Sequence, residues 1–308
     1  MDGEPLRIGV VGCSEGTHGK VWAEMLSAPG GERFGMRPAV VWDEDREQAS
    51  KLATAIGARL ANTAEECGLD VDGVMVTELL PTRYLELSRP FLKRRMRVFY
   101  NRPFAGSVRD AHEILRLADQ HGARVYSASA LFHTAAGTRA KRELASLQPV
   151  RLFTVTGPTD HLGFYLPHAI AALVSVMGGG VERVQAVSLS PSTSNPLLAT
   201  EPVVVYVEYG ARSACPGARG VVQMVGPGAR WYAFLMKLVG AERDSDEIRF
   251  EVSYDALLHE MARFFRTGEE PIDRALLLEQ NAIYHAALAS AARHRRAVRL
   301  EALRHTER

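Results

Sequence analysis

The first 128 residues alternate short apolar runs with stretches in which apolar residues recur every three to four positions. Apolar runs bounded by turn residues are typical of buried strands, and the longer period is typical of helices. The pattern predicts strands at residues 6–11, 37–42, 72–77, 97–100 and 123–128, with helices between them at 18–26, 44–56, 82–94 and 107–121. This alternation predicts βαβ units and a Rossmann-type α/β fold with a doubly wound, mostly parallel sheet.

After residue 128 the pattern changes, because strand-like runs follow one another with few helices between them. The pattern predicts helices at 134–147, 165–177, 254–266 and 274–295, and strands at 150–157, 181–190, 201–210, 219–226 and 229–236. Successive strands of this kind favour an α+β domain with a mostly antiparallel, open-faced sheet. We therefore predict a dinucleotide-binding domain at 1–128 and a domain for substrate binding and oligomerisation at 129–308.

Charge and cysteine content exclude several classes of protein. The 37 Lys and Arg residues nearly balance 36 Asp and Glu residues, so a nucleic-acid partner is not expected. Cys13, Cys67 and Cys215 match neither a disulfide framework nor a metal motif, which favours a reducing compartment and predicts no metal site. The acidic start lacks a secretory pattern, and glycines interrupt the longest apolar stretch. We expect a cytoplasmic protein with no membrane partner.

A glycine-rich turn joins the first strand to the first helix. Gly12, Ser14 and Gly16 only approximate the spacing GxGxxG. In a dinucleotide site such a turn lets backbone N–H groups approach the diphosphate, whose charge the helix dipole stabilises. A tight strand-to-helix turn without a ligand is an equally good interpretation of this run alone.

Asp43 strengthens the dinucleotide interpretation. It ends the second predicted strand, 31 positions after Gly12, where a carboxylate can accept hydrogen bonds from the adenosine ribose. A negative charge there favours NAD over NADP, while the nearby Arg46 keeps NADP open. Asp43 could also cap the helix that follows.

Several motifs occur in the order typical of one family. They are the turn after strand one, the run Val71–Thr77, Pro81–Tyr84, the run Val98–Phe104, Ser127–Leu131, and Gly163–His168. Over nearly its whole length the chain resembles the Gfo/Idh/MocA family of NAD(P)-dependent oxidoreductases. The candidate cofactor-binding residues are Gly12, Cys13, Ser14, Gly16, Thr17, His18, Asp43, Thr77, Glu78, Asn101 and Arg102. The expected cofactor is NAD, with NADP possible.

The chain departs from this family at its usual catalytic lysine. The family carries Glu-Lys-Pro or Asp-Lys-Pro after this strand, whereas this chain has Asn101, Arg102 and Pro103. A guanidinium stays charged and is a poor acid or base. Arg102 can therefore orient and polarise a substrate, but it is not expected to shuttle protons.

A second departure concerns the family pattern Asp-x-x-x-His. His168 matches its histidine, the usual acid/base, but Phe164 replaces the aspartate. Tyr165 lies on the same predicted helix face and could hydrogen-bond to His168 instead. Asp160 is a weaker polar candidate in the preceding loop, and His168 could also be merely structural.

These features favour an NAD(P)-dependent oxidoreductase acting on a small polar carbonyl, hydroxyl or imine compound, such as a sugar, cyclitol or secondary-metabolite intermediate. The candidate catalytic residues are Arg102, His168 and Tyr165, and we expect Arg102 and His168 to line one pocket. A non-redox lyase, isomerase or cyclase, or a non-catalytic binding subunit, remains open. Apolar residues on both faces of the strands at 201–210 and 219–226 predict a homodimer or homotetramer formed through the C-terminal sheet.

Overall fold

The structure is a computed structural model that describes residues 4–159, 161–188, 202–226, 233–292 and 295–303. The chain forms two compact units. The first comprises Met1–Ala128 and Leu257–Asp273, and the second comprises Ser129–Ala256 and Arg274–Arg308. Among the helices of the described ranges, none has the length and apolar character needed to cross a bilayer.

The first unit is built on a six-stranded parallel sheet. Its elements are β1 (Leu6–Val11), α1 (His18–Ser27), β2 (Met36–Trp42), α2 (Arg46–Ile56), β3 (Arg59–Leu60), β4 (Gly73–Val76), α3 (Tyr84–Lys93), β5 (Arg97–Tyr100), α4 (Val108–His121) and β6 (Arg124–Ser127). The strand order is β3-β2-β1-β4-β5-β6, and every pairing is parallel. This order confirms the predicted Rossmann-type sheet, whose strand order reverses between β1 and β4.

The burial of this sheet explains why its strands could be predicted from the sequence. β4 is buried along its whole length, and β1 is buried from Ile8 onwards, as expected for strands covered on both faces. β3 was missed because it has only two residues, neither of which is buried.

The remaining elements are helices and the strands of a second sheet. They are α5 (Ala135–Ser146), β7 (Leu152–Gly157), α6 (Leu162–Met177), β8 (Val181–Ser188), β9 (Val203–Tyr209), β10 (Arg219–Met224), β11 (Ala233–Val239), β12 (Ile248–Glu251), α7 (Asp255–Thr267), α8 (Arg274–Ala292), β13 (Val298–Arg299) and α9 (Leu300–Leu303). The sheet order is β12-β11-β7-β10-β9-β8-β13. The predicted mostly antiparallel sheet is confirmed, with one parallel pairing between β7 and β10.

The strands of this second sheet are buried on one face and partly accessible on the other. In β9 the buried Val203, Val205 and Val207 alternate with the half-buried Val204 and Tyr206. α6 packs on β7 and β10, and α8 packs on β8. This is the alternation expected of a sheet with one face on the core.

Helix α7 packs on the first unit, although it follows the second sheet in the sequence. The Phe264 ring lies 5.5 Å from that of Tyr126, and Arg97 Nη1 donates to the Phe265 carbonyl at 2.6 Å. Gly73 leaves space for this helix, because a Cβ there would lie 2.2 Å from the Phe265 ring. The Rossmann core thus includes a helix from late in the chain.

Candidate functional site

The glycine-rich turn packs tightly against the segment that follows β4. Gly12 has a φ of +89°, and a Cβ on it would lie 2.2 Å from the Glu78 amide nitrogen. A Cβ on Gly19, in the first turn of α1, would lie 2.1 Å from the Gly12 carbonyl oxygen. Both glycines are therefore required by the close approach of strand, turn and helix, which is the packing role of glycine in dinucleotide-binding turns.

The outer part of the turn is open. Gly16 has a φ of +82°, and nothing lies within 4 Å of a Cβ built on it. Thr17 caps α1: its side chain accepts a hydrogen bond from the Lys20 amide at 3.3 Å and donates one to the Ser14 carbonyl at 2.7 Å. The positive end of the α1 dipole therefore begins directly beside this open stretch.

Asp43 belongs to the turn and not to the helix after it. Its Oδ2 accepts hydrogen bonds from the amides of Cys13 at 2.6 Å and Ser14 at 2.7 Å. Its Oδ1 accepts from the Asp45 amide at 3.0 Å. The interpretation of Asp43 as the cap of α2 is wrong, because Asp45 is the N-cap and accepts from the Gln48 amide. α2 consequently starts two residues later than the pattern predicted.

Gln48, on α2, makes a third side-chain contact with the turn. Its Oε1 accepts from the Glu15 amide at 2.5 Å, and its Nε2 donates to Asp45 at 2.6 Å. Arg46 is held elsewhere, since it donates to the Ala61 carbonyl and to the Asn62 side chain. The amides of the turn from 13 to 15 are thus fixed by side chains of the β2–α2 segment.

Cys13 contributes its backbone to this arrangement. Its side chain is fully buried, and burial raises the pKa of the thiol to about 12, with the Asp43 charge adding to the effect. A thiol of this kind stays protonated and is a poor nucleophile.

Thr77 and Glu78 follow β4 on the other side of the turn. The Thr77 hydroxyl donates to the carbonyl of Gly12 at 2.7 Å. Glu78 Oε1 accepts from the Leu79 amide at 2.8 Å, and its Oε2 lies 3.8 Å from Arg83. Burial raises the pKa of Glu78 above its ordinary value. This carboxyl group therefore keeps its proton to a higher pH than an exposed glutamate does.

The residues after β5 join this cluster. The Asn101 side chain lies close to His18 and to Tyr84, whose hydroxyl donates to the Glu78 carbonyl at 3.0 Å. Burial lowers the pKa of His18 well below its ordinary value, and the charge of Arg102 lowers it further. The His18 ring stacks on Trp22, with centroids 4.9 Å apart. His18 is therefore neutral at neutral pH, next to a permanent positive charge.

These residues fit a bound dinucleotide. A carboxylate offers about four acceptor positions, and three described amides occupy positions on Asp43, which leaves room for a ribose hydroxyl. Asn101 Oδ1 is buried, and among the described residues it has no hydrogen-bond partner. Such an orphaned acceptor fits a bound group that offers an N–H or O–H.

His168 lies in the second unit, on α6. It is 8% exposed, and its Nδ1 is 2.6 Å from the hydroxyl oxygen of Ser129. The Tyr165 ring lies 6.5 Å from the His168 ring, and the Phe234 ring of β11 lies 5.9 Å from it. Asp160 lies outside the described residues. The structure thus gives His168 a hydroxyl partner, Ser129, that does not lie on its own helix.

Ser129 and Gln48 contact the site but were not among the residues predicted from the sequence. Ser129 lies 39 positions before His168, and serine is too common to signal such a contact. Gln48 offered a signal, because an acidic residue followed three positions later by Gln or Glu is typical of a helix N-terminus.

The fold and the turn define a class, a two-unit protein whose first unit is a Rossmann domain of the dinucleotide-binding type. Residues 6–129 match the Gfo/Idh/MocA family, described as an oxidoreductase family with an NAD-binding Rossmann fold. Over these residues the match confirms the resemblance found in the sequence, and it supports the predicted class of NAD(P)-dependent oxidoreductase. No curated protein matches the sequence.

Solved structures share the fold over both units. An apo scyllo-inositol dehydrogenase from Lactobacillus casei matches with a TM-score of 0.79 at 12% identity, covering 98% of this chain and 100% of the other. An oxidoreductase from Agrobacterium radiobacter in complex with NAD+, L-tartaric acid and magnesium has a TM-score of 0.75 at 15% identity, with coverages of 97% and 99%. An oxidoreductase from Desulfitobacterium hafniense described as NADPH-dependent has a TM-score of 0.74 at 14% identity, with the same coverages.

Proposed function

We propose that this protein transfers hydride between NAD and a small polar carbonyl, hydroxyl or imine compound. The observation that carries the proposal is the turn of residues 12–19, with Asp43 bound to its amides in the part of the chain that matches an NAD-binding family. When bound, the nicotinamide supplies the hydride acceptor or donor. The protein's own residues hold the cofactor and position the substrate.

The cofactor-binding role belongs to the cluster at the carboxyl ends of β1, β2, β4 and β5. The dipole of α1 and the open backbone at Gly16 suit the diphosphate, and Asp43 suits the adenosine ribose. Asn101 and His18 provide polar groups beside Arg102. Ligands of open α/β sheets bind beyond the carboxyl ends of the strands, which supports this assignment.

Preference for NAD over NADP is part of the proposal. Asp43 would repel a 2′-phosphate, and Arg46 is already bonded to the residues 61–62. Arg83 is paired with Glu44 at 2.7 Å. Both arginines are therefore held by other groups and are poorly placed to bind a phosphate.

The catalytic roles follow the family resemblance. Arg102 orients and polarises the substrate, since a guanidinium cannot exchange protons at neutral pH. His168 acts at the reacting oxygen, and Tyr165 assists it. That Arg102 and His168 line one pocket stays a prediction.

Two measurements test the proposal. Calorimetric titration should give saturable binding of NADH, tighter than that of NADPH, and Gly16→Trp, which fills the open side of the turn, should weaken it. Absorbance of reduced nicotinamide should then change when a panel of sugars, cyclitols and their ketones is offered. Absence of NADH and NADPH binding up to millimolar concentration would refute the oxidoreductase assignment. Cofactor binding with turnover but no redox change would point to a non-redox enzyme on the same fold.

We also propose a cytoplasmic homodimer or homotetramer formed through the second sheet. Leu152 on that sheet is 53% exposed, and Tyr206 and Val221 are paired across β9 and β10 on its half-buried face. Val221→Arg should convert the oligomer to monomers in light scattering, whereas Thr54→Arg, on an exposed face of α2, should not. A monomeric wild type at micromolar concentration would refute this interface.

The three cysteines are free and buried, as suits a reducing compartment.

A further inference from the structure

The partner of His168 determines which form of its imidazole is available. Ser129 precedes a short 3-10 helix, Ala130–His133, and its hydroxyl oxygen caps that helix by accepting from the Leu131 amide at 3.1 Å. The same oxygen lies 2.6 Å from His168 Nδ1. Ser129 is 2% exposed, so its hydroxyl hydrogen is removed from solvent.

A buried hydroxyl hydrogen needs an acceptor. Among the described residues, the acceptor in contact with the Ser129 hydroxyl is His168 Nδ1. If Nδ1 carried the ring hydrogen, Nδ1 and the Leu131 amide would both donate to the Ser129 oxygen. The hydroxyl hydrogen would then lose its acceptor. A neutral histidine carries one ring hydrogen, and the bond made by one nitrogen decides which nitrogen carries it.

We propose that Ser129 is a positioning residue that holds His168 in the tautomer with its hydrogen on Nε2. The Nε2 atom of His168 is then a hydrogen-bond donor, not a proton acceptor.

This inference rests on the proposed role of His168 at the substrate, and it narrows the substrate class. A neutral imidazole that donates from Nε2 can polarise a carbonyl oxygen or stabilise an alkoxide without giving up its hydrogen. The substrate form that fits His168 is therefore a ketone or aldehyde bound through its oxygen. A hydroxyl group that must donate to His168 fits less well.

Long-range ¹H–¹⁵N correlation spectra of the full-length, ¹⁵N-labelled protein at neutral pH test the tautomer, because they distinguish a protonated ring nitrogen from an unprotonated one. The His168→Asn spectrum assigns the His168 signals among the ten histidines. We expect the wild type to show the Nε2–H form about tenfold or more above the other, since the alternative leaves a buried hydroxyl unbonded. A wild-type spectrum with the hydrogen on Nδ1 would overturn the inference.

Substitution of Ser129 separates positioning from packing. Ser129→Ala should lower the ratio of the Nε2–H form to the Nδ1–H form several-fold, and Ser129→Thr, which keeps the hydroxyl, should restore it. Ser175→Ala is the matched control, because Ser175 is a buried serine on α6, the helix that carries His168, and its hydroxyl donates to the Ala172 carbonyl. An unchanged tautomer ratio in Ser129→Ala would also refute the proposal. These spectra need neither cofactor nor substrate, so failure of the oxidoreductase assignment leaves their outcome unaffected.

Discussion

Asp43→Asn tests whether one carboxylate both holds the turn and selects the cofactor. Asn keeps the size of the side chain and one carbonyl oxygen. That oxygen can still accept from the Cys13 and Ser14 amides, which lie 2.6 and 2.7 Å from Oδ2 in the wild type. The amide group of Asn would then face the Asp45 N–H, which donates to Oδ1 at 3.0 Å. Two donors would meet there, and that hydrogen bond would be lost.

The expected loss of stability follows from these three bonds. One charge-assisted bond disappears and two become neutral, which should lower the free energy of unfolding by about 2–4 kcal/mol. NADH binding should weaken because the charged ribose acceptor is gone. NADPH binding should weaken less, because the repulsion of its 2′-phosphate is relieved, so the preference for NADH should fall by roughly tenfold or more.

Urea unfolding and calorimetric titration with both cofactors measure these effects. Asp45→Asn is the control, since Asn caps a helix as well as Asp does. This substitution also removes one negative charge, two residues from Asp43. An equal change of cofactor preference in both variants would show that net charge, and not the Asp43 carboxylate, sets the preference. An unchanged preference in Asp43→Asn would refute the ribose role.

Three further outcomes concern the other polar residues. Once a substrate is found, His168→Ala should lower kcat by roughly 10²- to 10⁴-fold, and an unchanged kcat would remove His168 from the mechanism. Arg102→Lys should keep turnover, whereas Arg102→Ala should raise KM, and equal kinetics of the two would contradict substrate orientation by a cation. Because burial lowers the pKa of folded His18, the unfolded chain binds that proton more readily, so wild-type stability should fall as the pH drops below about 6.5. His18→Gln should flatten that part of the urea-unfolding profile, and an unchanged profile would contradict the burial of a neutral ring.

The first sheet was predictable because buried parallel strands appear in the sequence as short apolar runs. β1 and β5 occur at the predicted residues, and the boundaries of α1 and α4 differ by one residue at most. The position of α7 was not predictable. Its apolar stripe indicates that one face is buried, but no local pattern states which core the helix joins.

The turn residues could be found for the same local reason, because strand, glycines and helix are adjacent in the chain. The Ser129–His168 contact could not, since it joins positions 39 apart and needs the three-dimensional path of α6. The capping role considered for Asp43 failed because two candidate caps lay close together. The turn amides bind Asp43, and Asp45 is left to start the helix.

The discontinuity of the first unit has a consequence for biosynthesis. Residues 257–273 complete a core whose other residues end at 128, so the ribosome must make the whole intervening segment first. At synthesis rates of about 5–20 residues per second, the nascent Rossmann sheet waits on the order of ten seconds for α7. Until then the surface around Gly73 and Tyr126 lacks the Phe264 and Phe265 rings that cover it. A fragment ending at residue 128 would keep that apolar surface exposed permanently, and chaperones that bind such surfaces would find it during synthesis.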